Sequence, residues 1–344
     1  MRTIEAILLT GADAFRAHPQ ADVPEGERPA AVAVPTSVEE VQAVVRHAAE
    51  HGLRVAVHTT GRGVRQTGRL SDTLLVQTRA APAGAGGPAR LTTLRRLLLL
   101  RESHPDRPAF DMAVSSVLLT RVVRGEHEPA LRLVRHAPSV AFGRMDALQP
   151  GFAAAVAKAR ELGYEPFERL AGGRAAVYHE GVLTIGEALR DDEAGLHINR
   201  RYETTAETVA AALRSLGVDA RVGAVAGEYC PGDFSVNARG AVKLSGTAQR
   251  VVRGGAYVGT VLVVSDAARV AAVVEELYAA LGLPVDPQVT GAVADEAPGA
   301  GLDAVEDALI AAYAARAPLR EATLDPEVLA EAAALEARFR PRSS

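Results

Sequence analysis

The chain has no tryptophan, seven tyrosines, seven phenylalanines, one cysteine and only two lysines among its 38 basic residues. Each scarcity excludes something. Few aromatic rings leave little for bases to stack on, and a formal charge of −4 supplies no basic field for a phosphate backbone, so no nucleic-acid partner is expected. A single sulfur rules out an internal disulfide and a thiolate metal cluster, which need two or more, and no metal site is expected. No apolar run reaches membrane-span length. The N-terminal MRTIEAILLTGADAF has one arginine, a short apolar run and then Asp13, without the core and cleavage site of a leader. A cytoplasmic protein without a membrane partner is therefore expected.

Lysine is informative because it is rare. Only Lys158 and Lys243 break the rule that positive charge is carried by arginine, of which there are 36. A guanidinium stays protonated, whereas an ammonium is compact and readily shifted in pKa, so chemistry that needs such a charge cannot use the default residue.

Composition is otherwise that of a globular protein, 48% hydrophobic and 23% charged, and 344 residues suggest about two domains. Near the N-terminus AVAV (31–34) reads as a strand. Thr36 and Ser37, each followed three residues later by Glu39 or Glu40, cap a helix whose apolar stripe is Val38, Val41, Val45 and Ala48. Gly52 ends it, and LRVAV (53–57) and LLVQT (74–78) give two more strands around a Gly61-Arg62-Gly63 turn. The Ala-, Gly- and Pro-rich APAGAGGPA (81–89) reads as a linker.

Beyond the linker, LRRLLLL (94–100), ALRLVRH (130–136), SVAFGR (139–144) and AAVYH (175–179) read as strands. Helices are predicted over 111–123, 152–162, 205–216, 267–281, 302–315 and 326–339. Strands mixed with helices, without regular alternation, predict an α+β domain.

Two constellations could carry chemistry. The first is ERLAGGRAAVYHEG (168–181), where Gly172 and Gly173 let backbone close over a ligand and Arg169 and Arg174 offer forked donors to an anion. A glycine pair in a turn has an equally good purely structural explanation, as does His179 at a strand end. The second is GEYCPGDFSVNARGAVKLSGTAQR (227–250), which puts the only cysteine 13 positions before Lys243. Pro231-Gly232 turns the chain at the thiol, and a hairpin through Asn237-Ala238-Arg239-Gly240 returns Lys243 beside Cys230. Cys230 is then either a small buried hydrophobe or a reactive thiol.

The N-terminal pattern, VAVPTSVEEVQAVVRHAAEHGLRVAVHTTGRG followed by SDTLLVQT, resembles the first half of the FAD-binding domain of vanillyl-alcohol-oxidase-type flavoenzymes over residues 29–79. In that family a glycine-rich turn approaches the flavin pyrophosphate. Here Arg62 replaces the usual glycine-histidine pair and the second half of the domain is missing, so FAD binding is not expected.

The larger part, 91–290, resembles the lipoate-protein ligase and octanoyltransferase superfamily. The resemblance is carried by Leu131-Arg132-Leu133, Phe142-Gly143-Arg144, the Gly172-Gly173 to His179 segment and Lys243-Leu244-Ser245-Gly246-Thr247-Ala248-Gln249-Arg250, while Tyr229-Cys230-Pro231-Gly232-Asp233-Phe234 is most similar to the cysteine-dependent octanoyl amidotransferases. It implies a biotin/lipoate-ligase-like α+β fold with a mixed sheet, preceded by a small βαβ domain. The implied organisation is 1–80 partial FAD-like domain, 81–90 linker, 91–290 catalytic domain and 291–344 helical extension. It also implies catalytic Cys230 and Lys243, and substrate contacts from Arg132, Arg169, Gly172, Gly173, Arg174, Tyr178, His179, Gly246, Thr247, Ala248 and Gln249.

The implied activity moves an octanoyl or lipoyl group through a Cys230 thioester, from an acyl carrier or H protein to a lysine of a lipoyl domain, without a cofactor. A free thiol is only about 3% ionised at pH 7, so an adjacent ammonium would raise the reactive fraction, with backbone N–H groups near Gly246-Thr247 for the oxyanion. Two alternatives are an ATP- and Mg-dependent lipoate ligase and a non-catalytic acyl- or carrier-binding protein. The latter is suggested by Ser115-Ser116, where the family pattern has two acids.

Overall fold

In the computed structural model the chain divides into two compact units, Met1–Ala89 and Arg90–Ser344. The structure describes residues 8–9, 31–33, 38–58, 73–77 and 96–341. The Gly61-Arg62-Gly63 turn and the 81–89 segment lie outside them.

Among the described residues the first unit has a four-stranded sheet, ordered β1 (Leu8–Leu9), β2 (Ala31–Ala33), β4 (Thr73–Gln77), β3 (Arg54–His58), and a helix, α1 (Val38–Glu50). Strands β2, β4 and β3 run parallel, the direction a βαβ crossover imposes. Val44 and Ala48 are buried on α1 and meet Ala33 and Leu74. Val45, placed on the buried stripe from sequence, is 49% exposed. One residue further along a helix is about 100° further round, so Val44, four before Ala48, takes the inward place.

The second unit is an α+β body on an eight-stranded mixed sheet. Its strands lie in the order β11 (Ala220–Val222), β12 (Val236–Ala238), β13 (Val242–Val252), β14 (Gly255–Val263), β10 (Val182–Arg190), β6 (Ala130–Arg135), β5 (Leu97–Leu100) and β15 (Leu319–Ala322). Strand β5, flanked by the parallel strands β6 and β15, shows where an unbroken leucine run belongs. Leu97 and Leu99 face helices α4 (Ile198–Ser215) and α7 (Leu302–Ala314), whereas Leu98 and Leu100 face α2 (Pro108–Arg124) and α8 (Pro326–Leu335). Both faces are covered, so both parities are apolar. Residues 291–344 supply β15, which pairs parallel with β5, and α8 against α2.

A second sheet, β8 (Glu165–Glu168), β7 (Ser139–Phe142) and β9 (Ala176–Tyr178), packs with α3 (Phe152–Glu161) and α5 (Ala267–Leu281), and a single turn, α6 (Val293–Glu296), precedes α7. Between α2, this small sheet and the central strands β6, β10 and β14 lies a narrow cavity. Among the described residues no helix is long and apolar enough to cross a membrane.

One buried ion pair fastens α2 to the sheet. Arg132 of β6, 2% exposed, donates to the Asp111 carboxylate, to the Asp111 carbonyl at 2.9 Å and to the Glu102 carbonyl at 3.0 Å. Burial alone would raise the Asp111 pKa, but Arg132 and donors from His104 outweigh it and hold it below the ordinary carboxylate value. Removing one partner leaves the other buried and uncompensated, so Arg132→Met should lose about 3–5 kcal/mol in denaturant titration. Because the folded pKa of Asp111 is the lower one, its stabilisation is present at neutral pH and disappears as pH falls through that value. Asp111→Asn should therefore flatten the acid limb of the stability profile; an unchanged limb would refute this assignment.

Candidate active site

The Cys230 loop joins β11 to β12 and is organised by a residue that sequence inspection passed over. Glu228, 3% exposed, accepts hydrogen bonds from Val225 N (3.2 Å), Gly232 N (2.8 Å) and Ser235 Oγ (2.9 Å). Its carboxylate lies 3.6 Å from Lys243 Nζ. The ammonium in turn donates to the carbonyls of Tyr229 at 2.8 Å and Cys230 at 2.9 Å.

Lys243 arrives there by the expected hairpin. Arg239 and Gly240 turn the chain with φ of 57° and 75°, the positive pair that two-residue hairpin turns use, and Lys243 pairs with Asn237. Three residues on, a side chain at Gly246 would begin 3.1 Å from Nζ, so that glycine leaves the lysine its room.

The sulfur itself faces other partners. Arg169 Nη2 lies 3.3 Å and the Arg174 backbone N 3.2 Å from Cys230 Sγ, both as donors. Gly173, at φ 96°, lets the turn pass this close: a Cβ there would stand 2.8 Å from Sγ and 2.1 Å from Arg169 Nη2. Cys230 holds a left-handed φ of 41°, and its N–H donates to Tyr278 Oη at 2.7 Å. Tyr278 Oη donates on to the Ala175 carbonyl at 3.3 Å, tying the cysteine loop to the glycine turn.

Burial would push the thiol pKa up; the Arg169 guanidinium, the Lys243 ammonium and the Arg174 N–H outweigh it, leaving the pKa below that of an ordinary thiol. Burial lowers the Lys243 pKa, against the opposing pull of Cys230 and Glu228. The sequence-based expectation gave the activating charge to Lys243 alone. In the structure the cation touching sulfur is Arg169, and the lysine acts one step back, gripping the cysteine's carbonyl.

The other candidate residues fall into three groups. Arg169, Tyr178, Ala248 and Arg132 line the cavity, and the Nε atoms of Arg132 and Arg169 have no protein partner. Gly172, Gly173 and the Arg174 N–H form the turn over Cys230, while the Arg174 side chain points away, donating to the Met145 carbonyl at 3.2 Å. His179, Gly246, Thr247 and Gln249 do not line the cavity. His179 Nδ1 accepts from Gly181 N at 3.0 Å in the turn after β9. Gly246 and Thr247 pair with Val261 and Thr260 in the body of the sheet, so the N–H aimed at sulfur belongs to Arg174 instead. Gln249 accepts from Arg201 Nε at 2.9 Å and donates to the Ile198 carbonyl at 2.9 Å, bracing the start of α4.

Besides Glu228, the sequence reading missed Tyr278 and Tyr257. Glu228 had a usable signal, an acid two residues before the lone cysteine. Tyr278 sits on an apolar helix face and reads as core. Among the described residues no group of acids, histidines or cysteines could hold a metal ion.

Residues 107–313 match the family model described as "Lipoyl protein ligase A/B catalytic domain". An octanoyl-[GcvH]:protein N-octanoyltransferase of Anoxybacillus flavithermus is 35% identical over 155 residues, 44% of this chain and 55% of that protein. One from Exiguobacterium sibiricum is 33% identical over 212 residues, 59% of this chain and 76% of that protein. The chain thus spans little more than half the length of the first relative. Among solved structures, a putative lipoate protein ligase from Thermoplasma acidophilum with bound lipoic acid superposes with a TM-score of 0.57 at 22% identity, over 71% of this chain and 95% of that one. The fold is shared with these ligases.

The contacts to sulfur make a prediction about ionisation. Cys230 alkylation by iodoacetamide, followed against pH, should show a midpoint below about 8.5, the value of a free thiol. A cation favours the thiolate, so Arg169→Met should raise the midpoint by about 1–3 units. An unmoved midpoint would assign the low pKa to other groups.

Proposed function

Because the chain belongs to the lipoyl protein ligase A/B catalytic-domain family, we propose that it is a protein acyltransferase that moves an octanoyl or lipoyl group to a lysine of a lipoyl carrier domain through a thioester on Cys230. The observation that carries this reading is the sulfur itself, set between Arg169 and the Arg174 N–H with its pKa held down. A merely structural cysteine needs neither donor.

In the first half-reaction the Cys230 thiolate attacks the carbonyl carbon of the acyl donor. A C–S bond forms, the bond to the donor breaks, and the deacylated donor leaves, its lysine nitrogen taking a proton from solvent where the donor is an acylated H protein. In the second, the neutral amine of the acceptor lysine attacks the thioester, an amide forms as the nitrogen gives up a proton to solvent, and the thiolate departs to the donors that held it before. The same two donors therefore stabilise the nucleophile and the leaving group. The relatives' names specify GcvH as the acyl donor, and an acylated H protein is the donor assigned here, with an acyl carrier thioester as the other source of the same group. The cavity beside Arg169 receives the chain, and no cofactor takes part. The N-terminal unit has no part in these steps, and no flavin is assigned to it.

Three variants and one omission test the reading by intact-mass analysis of protein incubated with octanoyl-loaded donor. Wild type should gain an octanoyl adduct without ATP and pass it to the carrier. Cys230→Ser should form no adduct and transfer nothing while remaining folded, because a hydroxyl ionises far too weakly to replace the thiol. Lys243→Arg should lose most activity, since a planar guanidinium does not fit where a compact ammonium meets two carbonyls and Glu228. Glu228→Gln should slow adduct formation by loosening the loop. Full activity of Cys230→Ser with ATP and free lipoate would replace the thioester by an adenylate-forming ligase.

A further inference from the structure

On the sheet side the cavity is floored by Gly186 of β10 and Gly259 of β14, which are direct cross-strand partners. The Tyr257 ring lies across both. A Cβ on Gly186 would stand 2.9 Å from Tyr257 Oη and 3.0 Å from its Cε2, and one on Gly259 would stand 3.0 Å from its Cε1. Any side chain at either position meets the ring, so the glycine pair and the tyrosine form one device, a plate seated in a two-residue recess.

The plate is fixed from the other sides as well. Tyr257 is 8% exposed and packs with Leu119 of α2, Ala171 and Ala248. Ser115 of α2, one of the two serines that replace the family's acids, lines the same cavity and donates its hydroxyl to the Asp111 carbonyl at 3.2 Å. The link from the cavity to the thiol is Arg169, which lines the cavity and sets Nη2 3.3 Å from Cys230 Sγ. Val261, on the same strand as Tyr257, lines the cavity and shares an apolar cluster with Tyr178, Tyr229 and Cys230. From Val261 to Gly259, where the ring begins to cover the floor, is two residues, roughly 7 Å of strand.

Building on the acyl-thioester reading above, we propose that Tyr257 is the end stop of the acyl channel and limits the group carried on Cys230 to chains of about octanoyl length, excluding dodecanoyl and longer groups. Chain length is set by one ring. Leu119, Ala171 and Ala248 hold that ring from one side, and the two glycines keep it flat against the sheet.

The lone cysteine allows a test that does not depend on acyl transfer. The full-length protein is treated with butyl, hexyl, octyl, decyl and dodecyl methanethiosulfonate. The Cys230 thiolate attacks the alkyl-bearing sulfur, a disulfide forms and methanesulfinate leaves, so the adduct carries each chain at the position of the thioester. Rates are read by intact mass. In wild type the rate should rise from butyl to octyl and fall at least about tenfold by dodecyl, which carries four more methylenes than octyl, since a pocket discriminates even one methylene by about tenfold.

Tyr257→Phe, which keeps the ring, should keep that fall; Tyr257→Ala should abolish it, with dodecyl reacting as fast as octyl. Tyr257→Leu is measured in parallel and decides the matter if the alanine variant does not fold, its expected fall lying beyond decyl. A flat wild-type profile, or the same cut-off in wild type and the folded truncation variant, overturns the end stop. If the cut-off moves as expected but octanoyl-loaded donors never acylate Cys230, the channel stands and the transferase reading alone fails.

Discussion

The structure of the site depends on the buried pair formed by Glu228 and Lys243. Neither charge is accessible to solvent, and each is saturated: the carboxylate by two backbone N–H groups and a hydroxyl, the ammonium by two carbonyls. Such a pair is stable only when its remaining hydrogen-bonding capacity is met, because desolvation costs each ion several kcal/mol. Here the groups that meet it all belong to one loop. The ions thus hold Val225, Tyr229, Cys230, Gly232 and Ser235 in one conformation, with Cys230 in a left-handed backbone geometry that residues other than glycine and asparagine seldom adopt. Without the pair, nothing in the loop's own sequence would hold the thiol against the glycine turn.

The two kinds of cation divide the work. Arg169, whose guanidinium cannot release its proton, supplies a permanent charge and a directed N–H to the sulfur. Lys243 fits where three oxygens converge in a small space under the loop, a geometry suited to a compact tetrahedral donor and closed to a planar one. In a chain that otherwise uses arginine for positive charge, that fit explains why lysine stands at this position.

Much of this was legible in the sequence. Long strands and helices with clear periodicity were found within a few residues of their observed ends, and the hairpin argument correctly returned Lys243 to the cysteine loop. The central strand β10 was not recognised. Its VLTIGEALR is interrupted by Gly186, which makes room for an aromatic ring, and by Glu187, which is buried with Thr205, Tyr313 and Arg316. A polar residue satisfied by distant partners looks like a loop residue until those partners are known. The start of α4 was placed seven residues late for a similar reason, since Arg201 is buried through Asp191 and Gln249. Sequence spacing identified the segments that meet at Cys230. It could not show which atom of each segment faces the sulfur, because that follows from side-chain direction and backbone hydrogen bonding rather than from order along the chain.

The burial of Lys243 has a consequence for the protein's own integrity. An activated acyl group is a threat to any nearby amine, and lysine side chains are the usual casualties. Of the two in this chain, Lys243 is sealed at 1% exposure and held by two carbonyls and Glu228, and Lys158 sits on α3 against Glu161. If Cys230 carries a thioester, the surface presents it with almost no lysine of its own to consume. Arginine, which keeps its proton, can surround a reactive ester indefinitely, so a surface built from it would let such an acyl group wait intact for the lysine of another protein.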